Sequence, residues 1–239
     1  MKAFILSLCF ILSSAIASAQ GYAVINDKDG FVNIRKGPGI NTSIIGKLYT
    51  DDIFGYDDLA KNSGEWIKIY RVVSENPDGN IELGFISKTR TTPISSFASI
   101  HHKNISGQQA TINNDSVKVT ITTTAFKKAQ HKLAYQKTAT EKPWLNKIDS
   151  KPFWGTDGEI PKKSISSVLV TVNNVPVVIP QTAFNDLYEP AFRSFDVYLG
   201  PKNTIYIQMN NSDGAGAYTV IWIIKNNKYL KRFIDNSEV

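Results

Sequence analysis

DGFVNIRKGPGINTSIIGKL, residues 29–48, holds two short alternating runs on either side of a tight turn. In an extended chain Val32 and Ile34 point to one face while Asn33 and Arg35 point to the other. Gly37-Pro38-Gly39 supplies a fixed φ beside permissive ones, as a sharp reversal requires. The same grammar extends outward in both directions. Alternating β-branched and aromatic runs at 22–26, 31–35, 44–48, 52–56, 65–72 and 81–87 are separated by Gly, Asn, Asp and Pro clusters. No long run of period 3.6 interrupts them, so the spacing predicts an all-β unit over 22–93.

Asn33, Arg35, Gly37 and Pro38, followed by Ile45-Gly46, then Gly64-Glu65-Trp66-Ile67-Lys68-Ile69 and Gly84-Phe85-Ile86, resemble the bacterial SH3-like (SH3b) domains of exported proteins. The likeness covers 22–93, with an apparent insertion at Ser74–Asn80. It implies a small SH3-like barrel that binds cell-wall peptides or a neighbouring domain. Independently of the family, Tyr56, Asp57 and Trp66 are candidate groove residues, with Trp66 also suited to covering one end of a barrel.

Residues 94–112 are rich in Ser, Asn and His and read as a linker that leaves the two halves to fold separately. From Ser116 onward alternation returns. Val117, Val119 and Ile121 share one face; Val168, Val170 and Val172 lead through Asn173-Asn174 into a hairpin. A short helix is expected at 182–188, between Thr182 and Pro190. Strands follow at Phe195–Leu199, Ile205–Met209, Tyr218–Ile224 and 228–234, so 113–239 is expected to form a β-sandwich-like domain. The pieces LNKIDSKPFWGTDGEIP (145–161) and DGAGAYTVIWIIKNNKYLKR (213–232) resemble a domain of unknown function found beside such modules in exported bacterial proteins.

The first nineteen residues read as a cleaved signal peptide. Lys2 precedes an apolar core, and Ala17-Ser18-Ala19 suits signal peptidase before Gln20. The expected location is periplasmic or extracellular, with no integral membrane segment after cleavage. Cys9 is the sole cysteine, so the mature chain has no thiol for a disulfide, a cysteine nucleophile or an iron–sulfur cluster. The chain carries 27 Lys and Arg against 21 Asp and Glu, a formal charge of +6. The excess lies in the second half, where 118–163 holds ten lysines. Strand-edge protection is the plain explanation, and an anionic partner the functional one. No nucleic-acid recognition motif is present.

Chemistry is sparse. His101, His102 and His131 fit no zinc spacing, and neither Asp27–Gly30 nor Asp78–Glu82 completes a calcium loop, so no metal and no cofactor is expected. No Gly-x-Ser-x-Gly elbow occurs. Asp157 and Glu159, two apart, share a face if extended and would then suit hydrolysis of a glycosidic bond, while a Gly- and Asp-rich turn is the commoner reason for such a string. Trp144 and Trp154, near Phe153, are candidate sugar or peptide contacts, with closure of one end of the sandwich core as the plainer role. The leading expectation is a non-catalytic binding protein for cell-wall or envelope peptides. The alternatives are an inhibitor or accessory protein gripping another exported protein through its basic half, and a hydrolase using Asp157 and Glu159.

Overall fold

The computed structural model describes residues 20–57, 64–72, 79, 81–137, 142–212 and 214–236. The expected signal peptide and nearly all of Ser74–Asn80 lie outside the described residues. The fold is all-β; among the described residues the helical turns are short 3-10 pieces. The first half supplies β1 (Gln20–Ile25), β2 (Phe31–Arg35), β3 (Ile44–Tyr49), β4 (Ile53–Asp57), β5 (Trp66–Val72), β6 (Ile81–Ser87) and β7 (Thr91–Pro93). They form one antiparallel sheet in the order β3-β2-β6-β5-β4-β1-β7. Ala23, Ile25, Val32, Ile34, Leu48, Phe54, Tyr56, Ile67, Ile69 and Ile86 share one core, so the sheet curls around its own inner face. It does not close into a barrel. β2 meets β6 at the single pair Arg35–Phe85, and β7 ends on Pro93, which has no N–H to extend the ladder.

The remaining strands are β8 (Ala98–Ser99), β9 (Lys103–Ser106), β10 (Gln109–Asn113), β11 (Val117–Ala125), β12 (Leu133–Gln136), β13 (Trp144–Ile148), β14 (Lys163–Val172), β15 (Val175–Val177), β16 (Phe195–Gly200), β17 (Thr204–Asn211), β18 (Tyr218–Lys225) and β19 (Lys228–Asp235). Two five-stranded sheets, β15-β14-β11-β10-β9 and β19-β18-β17-β16-β8, face each other across a common core that includes Val119, Ile121, Val170, Phe195, Ile207 and Trp222. This is a sandwich-like packing, with β12 and β13 standing apart as a two-stranded ribbon over Leu145, Ile148, Phe153 and Tyr188.

Two local expectations are corrected. Residues 94–112 are folded, with β8 pairing with β16, β10 with β11 and β9 with β10. They carry the chain from one sheet of the sandwich to the other. Residues 182–188 form no α-helix: Gln181–Ala183 is one 3-10 turn. The Ala183 carbonyl turns inward to accept the Trp222 indole N–H at 2.8 Å, so tertiary bonding replaces the helical ladder.

The halves are also joined. Along β1, Ala23 and Ile25 face the first core, while Tyr22 and Val24 point outward. With Ile53 and Ile94 they pack on Tyr206, Ile221 and Ile223 from the outer face of the sandwich. Phe233 meets Tyr22 edge-on at 5.7 Å, and the Tyr22 hydroxyl hydrogen-bonds Asp235 and Thr219. Lys225 and Lys231 pair with Asp51 and Asp52 at 2.5 and 2.9 Å. β18 is thus buried on both faces, and its first seven residues are all buried.

Candidate functional site

The expected groove on the first sheet is not assembled. Tyr56 is a core side chain at 8% exposure, its ring pressed on Gly21, where an added Cβ would fall 2.4 Å from the ring. Tyr56 pairs with Ile69, whose side chain shares that core, whereas Trp66 alternates with Ile67 and Ile69 and lies on the opposite face. One pocket cannot use both. Asp57 ends β4 opposite Gln20. In the sandwich, Trp154 is buried at 4% exposure with its ring 6.3 Å from Tyr218, and Phe153 packs on Tyr188. Trp154 closes the sandwich core and Phe153 the small cluster under the ribbon. Trp144 alone of the tryptophans singled out there is exposed, at 46%.

The concave surface lies elsewhere. A cleft of about 530 Å³ opens where the first sheet meets the sandwich. Asn26, Asp27, Thr50 and Asp51 line one side; Gly200, Lys202, Thr204 and Lys225 line the other. Its apolar wall is Phe97 stacked on Tyr206, with centroids 5.6 Å apart and planes 10° from parallel. Burial, with Asp51 nearby, pushes the Tyr206 hydroxyl up to about 12, so it stays neutral at physiological pH. Gly200 is needed here, because a Cβ would stand 2.6 Å from the Tyr206 ring.

Two carboxylates, Asp27 and Asp51, and two lysines, Lys202 and Lys225, line this cleft. Asp27 accepts from Arg90 at 3.2 Å and Asp51 from Lys225 at 2.5 Å. Lys202 lines the same cleft and has no ion-pair partner among the described residues. It also sits at φ 53°, followed by Asn203 at φ 54°, in the turn closed by Thr204 N–H to the Pro201 carbonyl. Asn and Gly are the residues that favour these type I′ positions, so a lysine there is held at a conformational cost. On the other side of this turn lies a second cleft, about 600 Å³, rimmed by Asn173, Asn203, Asn226 and Asn227.

Asp157 and Glu159 line one cleft, at the opposite end of β17. A polar cleft of about 490 Å³ joins them with Thr156, Lys162, Glu189 and Ser212. The loop is closely fitted: Gly155 has φ 115°, and a Cβ there would stand 2.3 Å from the Tyr188 carbonyl oxygen. Thr156 Oγ1 donates to the Glu159 carbonyl at 2.7 Å, and Ser212 Oγ to that of Gly155 at 2.8 Å. The Glu189 carboxylate is already engaged by the amides of Lys162 and Lys163.

Of the histidines, His131 stacks on Phe126 at 4.5 Å and places Nδ1 2.8 Å from Asp149 Oδ2. That contact holds the Asp149 carboxyl below its usual range. His101 and His102 are exposed. Among the described residues no three His, Cys, Asp or Glu side chains gather as metal ligands, and no helix is long and apolar enough to cross a membrane. The chain matches no family model, and no curated protein or solved structure is significantly similar to it.

Proposed function

We propose that this is an exported, non-catalytic binding protein whose ligand is a cell-wall or envelope peptide held in the cleft between the two halves. The observation that carries the proposal is the pairing of a flat Phe97–Tyr206 wall with one uncompensated cation, Lys202, on a concave seam. Seams between packed units are common ligand sites, and an apolar wall with few polar groups is their usual composition. A peptide carboxylate would pair with Lys202 while an apolar side chain lies against Phe97. The sequence likeness of 22–93 to SH3b domains supports the same class of ligand.

The test is retention of purified protein on insoluble peptidoglycan at low and moderate salt. Phe97→Ala is expected to weaken binding over tenfold, as loss of a central aromatic contact does. Lys202→Gly should weaken it without lowering the melting temperature, because glycine accepts φ 53° freely. Wild-type protein that is not retained would refute the proposal. A hydrolase is the second reading, favoured by the cleft that joins Asp157 and Glu159. It requires wild type, but not Asp157→Asn or Glu159→Gln, to release soluble fragments from the same material.

A further inference from the structure

The ribbon formed by β12 and β13 carries a charge that the fold does not use. Lys127, Lys128, Lys132, Lys137, Lys142, Lys147 and Lys151 all belong to the ribbon or its flanks, and all seven are exposed. None has an ion-pair partner among the described residues. Asp149 is the one described carboxylate in 127–151, and it is taken by His131 and by the Lys132 amide. Edge protection accounts for little of this, since only Lys147 lies within a strand. Lys127, Lys128, Lys132 and Lys151 sit in turns around the base of the ribbon, and Lys137 and Lys142 flank its far end.

That far end also exposes two aromatic rings. Tyr135 is 44% and Trp144 46% exposed, on neighbouring pairs of the ladder, Tyr135–Leu145 and Gln136–Trp144. Leu133 opposite Ile148 at the base, and Leu145 opposite Tyr135 further out, hold the ribbon to Phe153 and Tyr188. The ribbon is therefore held from its base up to the Tyr135–Leu145 pair, and its outer end exposes Tyr135 on the face of Leu145 and Trp144 on the opposite face, both among lysines. Rings of this type settle at the boundary between lipid headgroups and hydrocarbon, and clustered lysines are drawn to anionic headgroups.

We propose that this ribbon is a docking surface for an anionic lipid bilayer, with lysines 127–151 meeting headgroup phosphates and Trp144 and Tyr135 entering the interface. The site is separate from the cleft between the halves, so the protein can hold a membrane surface while that cleft is free.

The test uses the full chain with vesicles of phosphatidylcholine alone or with 30% phosphatidylglycerol, in co-sedimentation at 50 and 300 mM NaCl. Partitioning onto the anionic vesicles should exceed that onto neutral ones at least tenfold at low salt and fall about tenfold at high salt, as screening requires. Replacing Lys132, Lys137, Lys142 and Lys147 together by Gln should bring it to the neutral-vesicle level with an unchanged melting temperature. Trp144→Ser should lower it severalfold while leaving the salt dependence in place. Equal partitioning of wild type onto both vesicles would overturn the proposal, as would full retention by the four-lysine variant. Binding to alginate, an acidic polysaccharide, without binding to anionic vesicles would reassign the ribbon to a glycan and equally overturn it.

Discussion

Ile221→Ala separates a docked molecule from one whose halves fold alone. Ile221 is fully buried, but on the outer face of β18, against Tyr22, Val24 and Ile53 of the first sheet. Removing three carbons costs about 2.4 kcal/mol at about 0.8 kcal/mol per carbon. The cavity left behind brings an isoleucine truncation to roughly 2–5 kcal/mol, and about 3 is expected in this well-filled seam. For a chain of this size each kcal/mol moves the melting point by about 2–4 °C, so a fall of roughly 6–12 °C follows. Differential scanning calorimetry of the full chain reads it, with tryptophan emission as a second probe. One transition, lowered as a unit, is the expected result. Were the halves independent, Ile221 would lie on a solvent-facing sheet and truncation would stay within about 0.5 kcal/mol. A shift below about 2 °C, or a wild-type trace already split in two, refutes the shared core.

Gly155→Ala should lose about 3 kcal/mol, because it combines φ 115° with a Cβ 2.3 Å from the Tyr188 oxygen; an unchanged urea midpoint would contradict the fitted loop. Arg232 grips Asp186 with two parallel bonds of 2.6 and 2.7 Å, so Arg232→Lys should cost about 1–2 kcal/mol in the same assay. Asp149 has a folded-state pKa below its ordinary value of 3.8, chiefly through His131. Its contribution is therefore full above about pH 4 and is lost as pH falls through the lowered value. Urea midpoints at pH 4.5, 3.5 and 2.5 should fall less steeply in Asp149→Asn than in wild type, and parallel slopes would exclude the His131 contact as the cause.

Six of the seven strands of the first sheet were legible to within a residue or two, because alternation and turn residues are both local signals; the three-residue β7 was missed. β2 and β6 match the expected 31–35 and 81–87 outright. Other features needed a different reading of the same letters. Val220-Ile221-Trp222-Ile223-Ile224 is continuous, and a continuous apolar run marks a strand covered on both sides. Reading only Tyr218, Val220, Trp222 and Ile224 found the sandwich core and missed the seam. Phe54 and Tyr56 share one phase of β4, which already argued against Tyr56 as a groove residue. β9 left no such trace: three of its four residues are exposed, so pairing rests on backbone bonds that side-chain pattern does not report. The cleft between the halves was beyond reach for another reason. Phe97, Lys202 and Lys225 come from three distant segments that the sandwich brings together, and Asp51 joins them only when the halves dock.

The double burial of β18 has a consequence for synthesis. The outer face of β1 and β4 is complete once residue 93 has been made, but its cover, Ile223, comes about 130 residues later. At about 5–20 residues per second, Tyr22, Val24 and Ile53, with Ile94 beside them, wait roughly 6–26 s for the sandwich face that covers them. During that interval the growing chain offers an apolar sheet face to its surroundings, and an attendant chaperone has its natural landing place there. Truncated chains ending before β18 keep that face open permanently, so nonsense products of this gene are the ones to look for in aggregates.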